Sequence, residues 1–394
     1  MLRKNRLFTP GPTPLLPVAQ RAMAAADFHH RTADFRNLYQ RVLSDLKTFI
    51  GTRNDVLLLA SSGTGAMEAA VSNLTNPGDR VLVITSGKFG ERWHELAKAF
   101  GLAVDLAQAP YGHPVFLDSI RAKLASDTRV VYMQATESST GVRQDVEGVA
   151  ALLKGTDTLL VVDAITGLGT THLDVDDWGI DVIVGGSQKA VMIPPGLAYL
   201  AVSERAWQRM DTTRQPRYYF DLKKERKNAK NGESAFTPAT SLIAALAAAM
   251  DYIRSNGQGD LVAGRELLIE NAETAAAMTR AAASSLGLEL FSPSAPAAAL
   301  TALVPPAGVD STEIVRRFRD QFGAIVANGQ GEMKGQVFRI AHLGYYDYMD
   351  TIGVLAALEQ IVAQIKPGHI EFGFALRAAQ EVYARTRADK ATAR

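Results

Sequence analysis

The chain has 394 residues, 47% of them apolar, and a formal net charge of +1. That length suggests roughly two domains with a sizeable core, and the near-neutral charge gives no reason to expect nucleic acid or an anionic membrane as a partner. The sequence contains no cysteine, which excludes a disulfide framework, thiolate metal sites and iron–sulfur clusters and fits a cytoplasmic location. The basic N-terminus runs into Phe8-Thr9-Pro10-Gly11-Pro12 rather than an apolar stretch, so no signal peptide is expected. The greasiest run, residues 242–250, is too short to span a bilayer, and a soluble protein is expected.

In chain order, residues 8–17 are rich in proline and glycine and should be extended. Helical spacing follows over 34–50. A short strand is expected at 56–59, a turn at Ser61-Ser62-Gly63-Thr64-Gly65 and a helix over 66–74. Strands are then suggested at 80–85, 103–106, 130–134, 159–163, 182–184 and 197–201, with helices in most gaps, including 91–100 and 118–125. This alternation argues for an α/β fold with an open, mostly parallel sheet between helices. Beyond about residue 205 the pattern changes. Residues 218–232, rich in charge and tyrosine, read as a surface excursion, and an Ala-rich helix covers about 239–256. The remainder reads as a smaller α+β unit with strands at 301–304 and 337–340, closing on an amphipathic helix from Phe374. The expected division is a large domain over 1–256, including the N-terminal extended segment, and a small C-terminal one over 257–394.

Three features suggest chemistry. Lys189 follows the apolar run Val182-Ile183-Val184, and Asp163 ends the run Leu159-Leu160-Val161-Val162. A lysine and an aspartate at the ends of buried parallel strands suit a pyridoxal-phosphate site. The lysine holds the aldehyde as a Schiff base, and the acid keeps the ring nitrogen protonated. Ser62-Gly63-Thr64-Gly65, between a strand and a helix, is a natural phosphate cradle. Each also has a plainer reading: a solvated lysine, a turn acid, an ordinary βα turn.

Together with Pro10-Gly11-Pro12-Thr13-Pro14, Glu137-Ser138-Ser139-Thr140-Gly141-Val142, Gly186-Ser187-Gln188-Lys189-Ala190, Pro194-Pro195-Gly196 and Arg339-Ile340, these strings form an ordered set. From Phe8 to about residue 365 the chain resembles the class V, fold-type I pyridoxal-phosphate aminotransferases, in particular the alanine–glyoxylate and serine–pyruvate branch. The resemblance implies pyridoxal 5'-phosphate as cofactor, no metal, and a homodimer with shared active sites acting on an amino acid and a 2-oxo acid. It makes Lys189 the Schiff-base residue and proton shuttle, and Asp163 the partner of the ring nitrogen. Ser62, Gly63 and Thr64 would hold the phosphate, with Gln188 beside them. Ser138 would bond the ring oxygen, and Phe89 would stack on the ring unless it is an ordinary core aromatic. Thr237 would reach the phosphate of the neighbouring subunit. Arg339 would take the substrate carboxylate with two parallel bonds, and Gly11 would let the backbone approach the substrate.

Two departures from the pattern matter. Ser234 stands where mammalian alanine–glyoxylate enzymes look to have a tyrosine gripping the phosphate. The string Phe28-His29-His30-Arg31-Thr32 is similar to an element of phosphoserine aminotransferases. His30 and Arg31 would then hold an anionic side group, or the loop would only order the partner's entrance. The resemblance thus implies alanine or serine as donor and glyoxylate or pyruvate as acceptor, with an aspartate- or phosphoserine-type enzyme as the alternative. A cysteine-desulfurase-like lyase would need a histidine before the lysine and a cysteine; Gln188 precedes Lys189 and no cysteine exists. A non-catalytic subunit, such as a hydrogenase component, is the reading from another class.

Overall fold

In a computed structural model, residues 3–27, 29–368 and 370–392 are described; Phe28, at the head of the His30–Arg31 string, lies outside them. The strands are β1 (Arg6–Phe8), β2 (Asp55–Leu59), β3 (Arg80–Thr85), β4 (Ala103–Gln108), β5 (Val130–Gln134), β6 (Thr136–Glu137), β7 (Val142–Arg143), β8 (Leu159–Asp163), β9 (Val182–Gly186), β10 (Ala198–Val202), β11 (Leu300–Leu303), β12 (Ala324–Asn328) and β13 (Phe338–Ala341).

A seven-stranded sheet runs β2-β10-β9-β8-β5-β3-β4. β10 runs opposite to the other six strands. Every residue of β5, β8 and β9 is buried, as expected of parallel strands covered on both faces. Successive side chains enter opposite cores with period two. Leu58, Leu82, Val131, Met133, Leu160, Val162 and Ile183 pack with Phe35, Tyr39 and Leu246 from helices Ala33–Ile50 and Thr240–Asn256. Leu57, Leu59, Val81, Val83, Tyr132, Val161 and Val184 pack with Met67, Val71 and Trp93 from helices Gly63–Leu74 and Lys88–Ala99. A second sheet, β1-β12-β13-β11, packs against helices Leu261–Ser285, Ser311–Phe322 and Tyr348–Ile365. Its edge strand β1 pairs in parallel with β12, which brings the start of the chain onto the C-terminal sheet.

Several elements differ from the sequence expectation. Helix Gly63–Leu74 starts three residues earlier than the periodicity implies, so Gly63-Thr64-Gly65 forms its first turn. The supposed surface excursion contains helix Leu222–Ala229, capped by the Asp221 side chain, which accepts from the Lys224 N–H at 3.0 Å. Leu222 and Glu225 alone are buried in that helix, too few apolar positions to register as a pattern. Helix Pro17–Ala25, entered through proline at its first position, and strand β12 were not expected. The helix expected over 118–125 is the shorter Leu117–Arg121.

Candidate active site

Asp163 is the last residue of β8, and Lys189 lies three residues beyond β9, its neighbour in the sheet. Both therefore stand at the carboxyl edge of the strands, where open α/β sheets bind ligands. Lys189 is 8% exposed, and its Nζ donates to the Pro10 carbonyl at 2.7 Å. Burial pushes the amine down to about 8, against the opposing pull of Asp163; Arg339 and Arg92 push it further the same way. Asp163 accepts from the Ile165 N–H at 2.8 Å. Burial lifts its carboxyl to about 6, and the Ile165 bond and the Lys189 charge hold it back.

The N-terminal segment clamps the lysine loop. Thr13 N–H donates to the Gln188 carbonyl at 3.1 Å, and its hydroxyl donates to the Lys189 carbonyl at 3.0 Å. Gly11 has φ of +155°, and a Cβ there would lie 2.6 Å from Lys189 Nζ, so only glycine fits over the amine.

The cradle lies on the neighbouring βα turn. Ser62 caps helix Gly63–Leu74 without a side-chain bond to it. The first N–H groups of a helix have no partner within it, and they favour an anion. A Cβ on Gly63 would lie 2.2 Å from Ile165 Cδ1, so with this Ile165 rotamer the glycine lets the turn lie close against the Asp163 loop. Thr64 Oγ1 accepts from Arg92 Nη1 at 3.1 Å, and the Arg92 guanidinium lies 4.9 Å from the Phe89 ring centre.

Arg339, on β13, is 4% exposed. Its Nη1 donates to the Ser138 carbonyl at 2.7 Å and its Nη2 to the Asn328 carbonyl at 2.6 Å, while the buried Nε has no partner. Burial pushes the guanidinium down to about 10. Other buried polar atoms at the sheet edge are also unpaired: Gln188 Oε1 and both amide atoms of Gln134, which is in register with Asp163. Buried polar groups are normally paired. Unpaired donors and acceptors, an uncapped helix start, and a buried acid–amine pair together fit pyridoxal phosphate in its anionic and aromatic parts. A cleft of about 720 Å³ lined by Pro114, Gln144, Thr171 and Trp178 contains none of the expected site residues. We place the chemistry where the buried charges converge instead.

The structure joins Ser138 to Arg339, Thr64 and Phe89 to Arg92, and Gly11 to Lys189. Asp163 faces Lys189, and Gly63 abuts Ile165 in the loop after Asp163. Among the described residues, Thr237, His30 and Arg31 are not joined to this cluster within one chain. Ser234 and Thr237 lie beside Tyr39, Ala60 and Leu197. The His29 and His30 rings lie 4.9 Å apart, tilted by 30°, on the loop before helix Ala33–Ile50, and Arg31 is exposed there. Arg92 and Glu137 were not singled out from the sequence. Arg92 sits three positions after Phe89 on one helix, a spacing that places both on one face and marks it in retrospect.

Residues 19–333 match the family model described as Aminotransferase class-V. The chain is 36% identical to a protein of Synechococcus sp. named soluble hydrogenase, small subunit, covering 97% of this chain and 99% of that one. It is 32% identical to the L-aspartate–glyoxylate aminotransferase of Paracoccus denitrificans, covering 98% of each. Among solved structures, an aspartate aminotransferase of subgroup IV from Thermus thermophilus superposes with a TM-score of 0.84 at 34% identity, over 92% of this chain and all of that one. The hydrogenase name finds no support in the residues, since thiolate metal ligands require cysteine and this chain has none.

Proposed function

Since the chain belongs to the class-V aminotransferases of fold type I, which depend on pyridoxal phosphate, we propose that it moves amino groups from a small amino acid, alanine or serine, to glyoxylate or pyruvate. The observation that carries this reading is the charge set around Lys189: Asp163, Arg339 and Arg92. Arg339 is the buried arginine of that set and keeps an Nε with no partner, which supports it as receptor for one carboxylate. A donor with a single carboxylate satisfies that set.

Pyridoxal phosphate, when bound, supplies an aldehyde and a ring that takes up the electron pair left at the substrate Cα. Lys189 would hold that aldehyde, and its partly neutral amine would then move the proton at Cα. Asp163 would keep its charge toward the ring nitrogen. Gly63, Thr64, Ser62 and Gln188 would take the phosphate, Ser138 the ring oxygen and Phe89 the ring face. Arg339 would orient the carboxylate, with Gly11 leaving room beside the amine. Thr237 would act across a homodimer interface. We further propose residues 1–256 and 257–394 as large and small domains, and a cytoplasmic location. Among the described residues no helix is long and apolar enough to cross a membrane.

The relatives that act on aspartate favour a second reading, in which His30 and Arg31 receive a side-chain carboxylate. Turnover with alanine, serine and aspartate against glyoxylate, pyruvate and 2-oxoglutarate tests both. The first reading expects alanine or serine to be preferred and Arg31→Ala to leave that preference unchanged. A collapse of aspartate turnover in Arg31→Ala, with alanine turnover untouched, would establish the second.

Arg339→Lys should raise KM for the amino donor about tenfold or more, with a smaller change in kcat, because an ammonium cannot reproduce a two-bond fork. Steady-state kinetics with the preferred donor checks this; an unchanged KM would remove Arg339 from the carboxylate role.

A further inference from the structure

Helix Lys88–Ala99 carries Phe89 and Arg92, yet the residue that caps it, Gly87, has no side chain to cap with. Its first three N–H groups are satisfied from elsewhere. Lys88 N–H donates to Ser139 Oγ at 3.0 Å. The Phe89 and Gly90 N–H groups both donate to Glu137 Oε2, each at 3.0 Å. The other carboxylate oxygen of Glu137 accepts from the Ser139 N–H at 3.1 Å and from the Ser139 hydroxyl at 2.6 Å. Glu137 is fully buried, and a Cβ on Gly87 would lie 2.6 Å from its carboxylate carbon, so the missing side chain is what admits the acid.

The cap is thus lent by the end of β6 and the loop that follows it, and a carboxylate at a helix N-terminus is favoured there by the helix dipole as well as by the bonds. The same loop contains Ser138, whose carbonyl holds Arg339. The capped helix contains Arg92, which holds Thr64 and faces Phe89. One buried acid therefore links the substrate arginine, the ring-facing aromatic and the phosphate turn.

We propose that Glu137, with Ser139, is a positioning residue that fixes Phe89 and Arg92 relative to the cofactor site by capping their helix from across the sheet edge. This rests on the cofactor roles proposed above for Phe89 and Thr64. In Glu137→Gln one carbonyl oxygen replaces two acceptors, and the amide NH₂ faces N–H groups that also donate. Ser139→Ala removes only the hydroxyl and leaves the Phe89 and Gly90 bonds intact.

The test uses the full chain prepared with and without pyridoxal phosphate. Cofactor affinity is read by quenching of tryptophan fluorescence, and the pH midpoint of the bound cofactor's visible band is recorded alongside melting of the cofactor-free protein. Glu137→Gln is expected to weaken cofactor affinity about tenfold or more and to move the pH midpoint, with Ser139→Ala acting in the same direction to a smaller extent. Variants that melt earlier but keep the wild-type affinity and midpoint would overturn the proposal, leaving Glu137 a fold residue only. If Glu137→Gln does not fold, Ser139→Ala decides by the same two readouts. A wild-type protein that binds no cofactor would instead defeat the proposed function, so the two failures are distinguishable.

Discussion

Lys189→Ala is expected to lower transamination by roughly 10⁴-fold or more, since it removes both the covalent tether and the proton carrier, and general acid–base catalysis alone contributes about 10²–10⁴-fold. The substituted protein should still bind pyridoxal phosphate through the phosphate turn, but without the visible band of a lysine-linked aldehyde. The titration of the amine gives a second signature. Its value of about 8 lies below the usual lysine range, so the neutral, nucleophilic form is lost as pH falls below 8 and complete above it. Capture of the aldehyde by cofactor-free wild-type protein should therefore accelerate up to about pH 8 and then level off. Stopped-flow absorbance measures the rate; a variant that retains the band and full turnover would remove Lys189 from the mechanism.

Asp163→Asn should cost about 10²–10⁴-fold in kcat, because a neutral amide cannot hold a proton on the ring nitrogen through its charge. Stability should move the opposite way. The carboxyl of Asp163 is raised to about 6, so its contribution to folding is most favourable below the ordinary carboxylate range and is lost as pH rises through 6. At pH 7 to 8 the cofactor-free chain carries a buried charge whose folding cost the asparagine avoids. The variant without cofactor should melt at the wild-type temperature or above it, while turnover collapses. Parallel melting and kinetic measurements check both halves. A variant that loses stability and keeps activity would show Asp163 to be structural.

The strands that position this pair were readable because β5, β8 and β9 are buried on both faces and hence continuously apolar. Lys189 and Asp163 stood out as polar residues ending such runs. Gly63 was readable as a turn residue but not as the start of a helix, because its close approach to Ile165 is a long-range contact. Helix Leu222–Ala229 was hidden by its charge; its fixed points are the Asp221 cap and Glu225, which accepts from the Tyr39 hydroxyl at 3.0 Å. The role of Glu137 could not be read from spacing, since Phe89 and Gly90 lie 48 and 47 positions away. Arg339 was found through its string, but its carbonyl partners Ser138 and Asn328 belong to separate elements that only the fold assembles. His30, Arg31 and Thr237 differ in kind: their suggested roles lie at a subunit boundary, and one chain leaves them apart.

The pairing of β1 with β12 has a mechanical corollary. Arg339 rides on β13, which shares a sheet with β12, and β1 is hydrogen-bonded to that same sheet. Two residues after β1 ends, the Pro10 carbonyl accepts a hydrogen bond from Lys189 Nζ. Any displacement of this sheet relative to the parallel one would therefore carry Arg339 and the partner of the Lys189 amine together, over a tether of two residues.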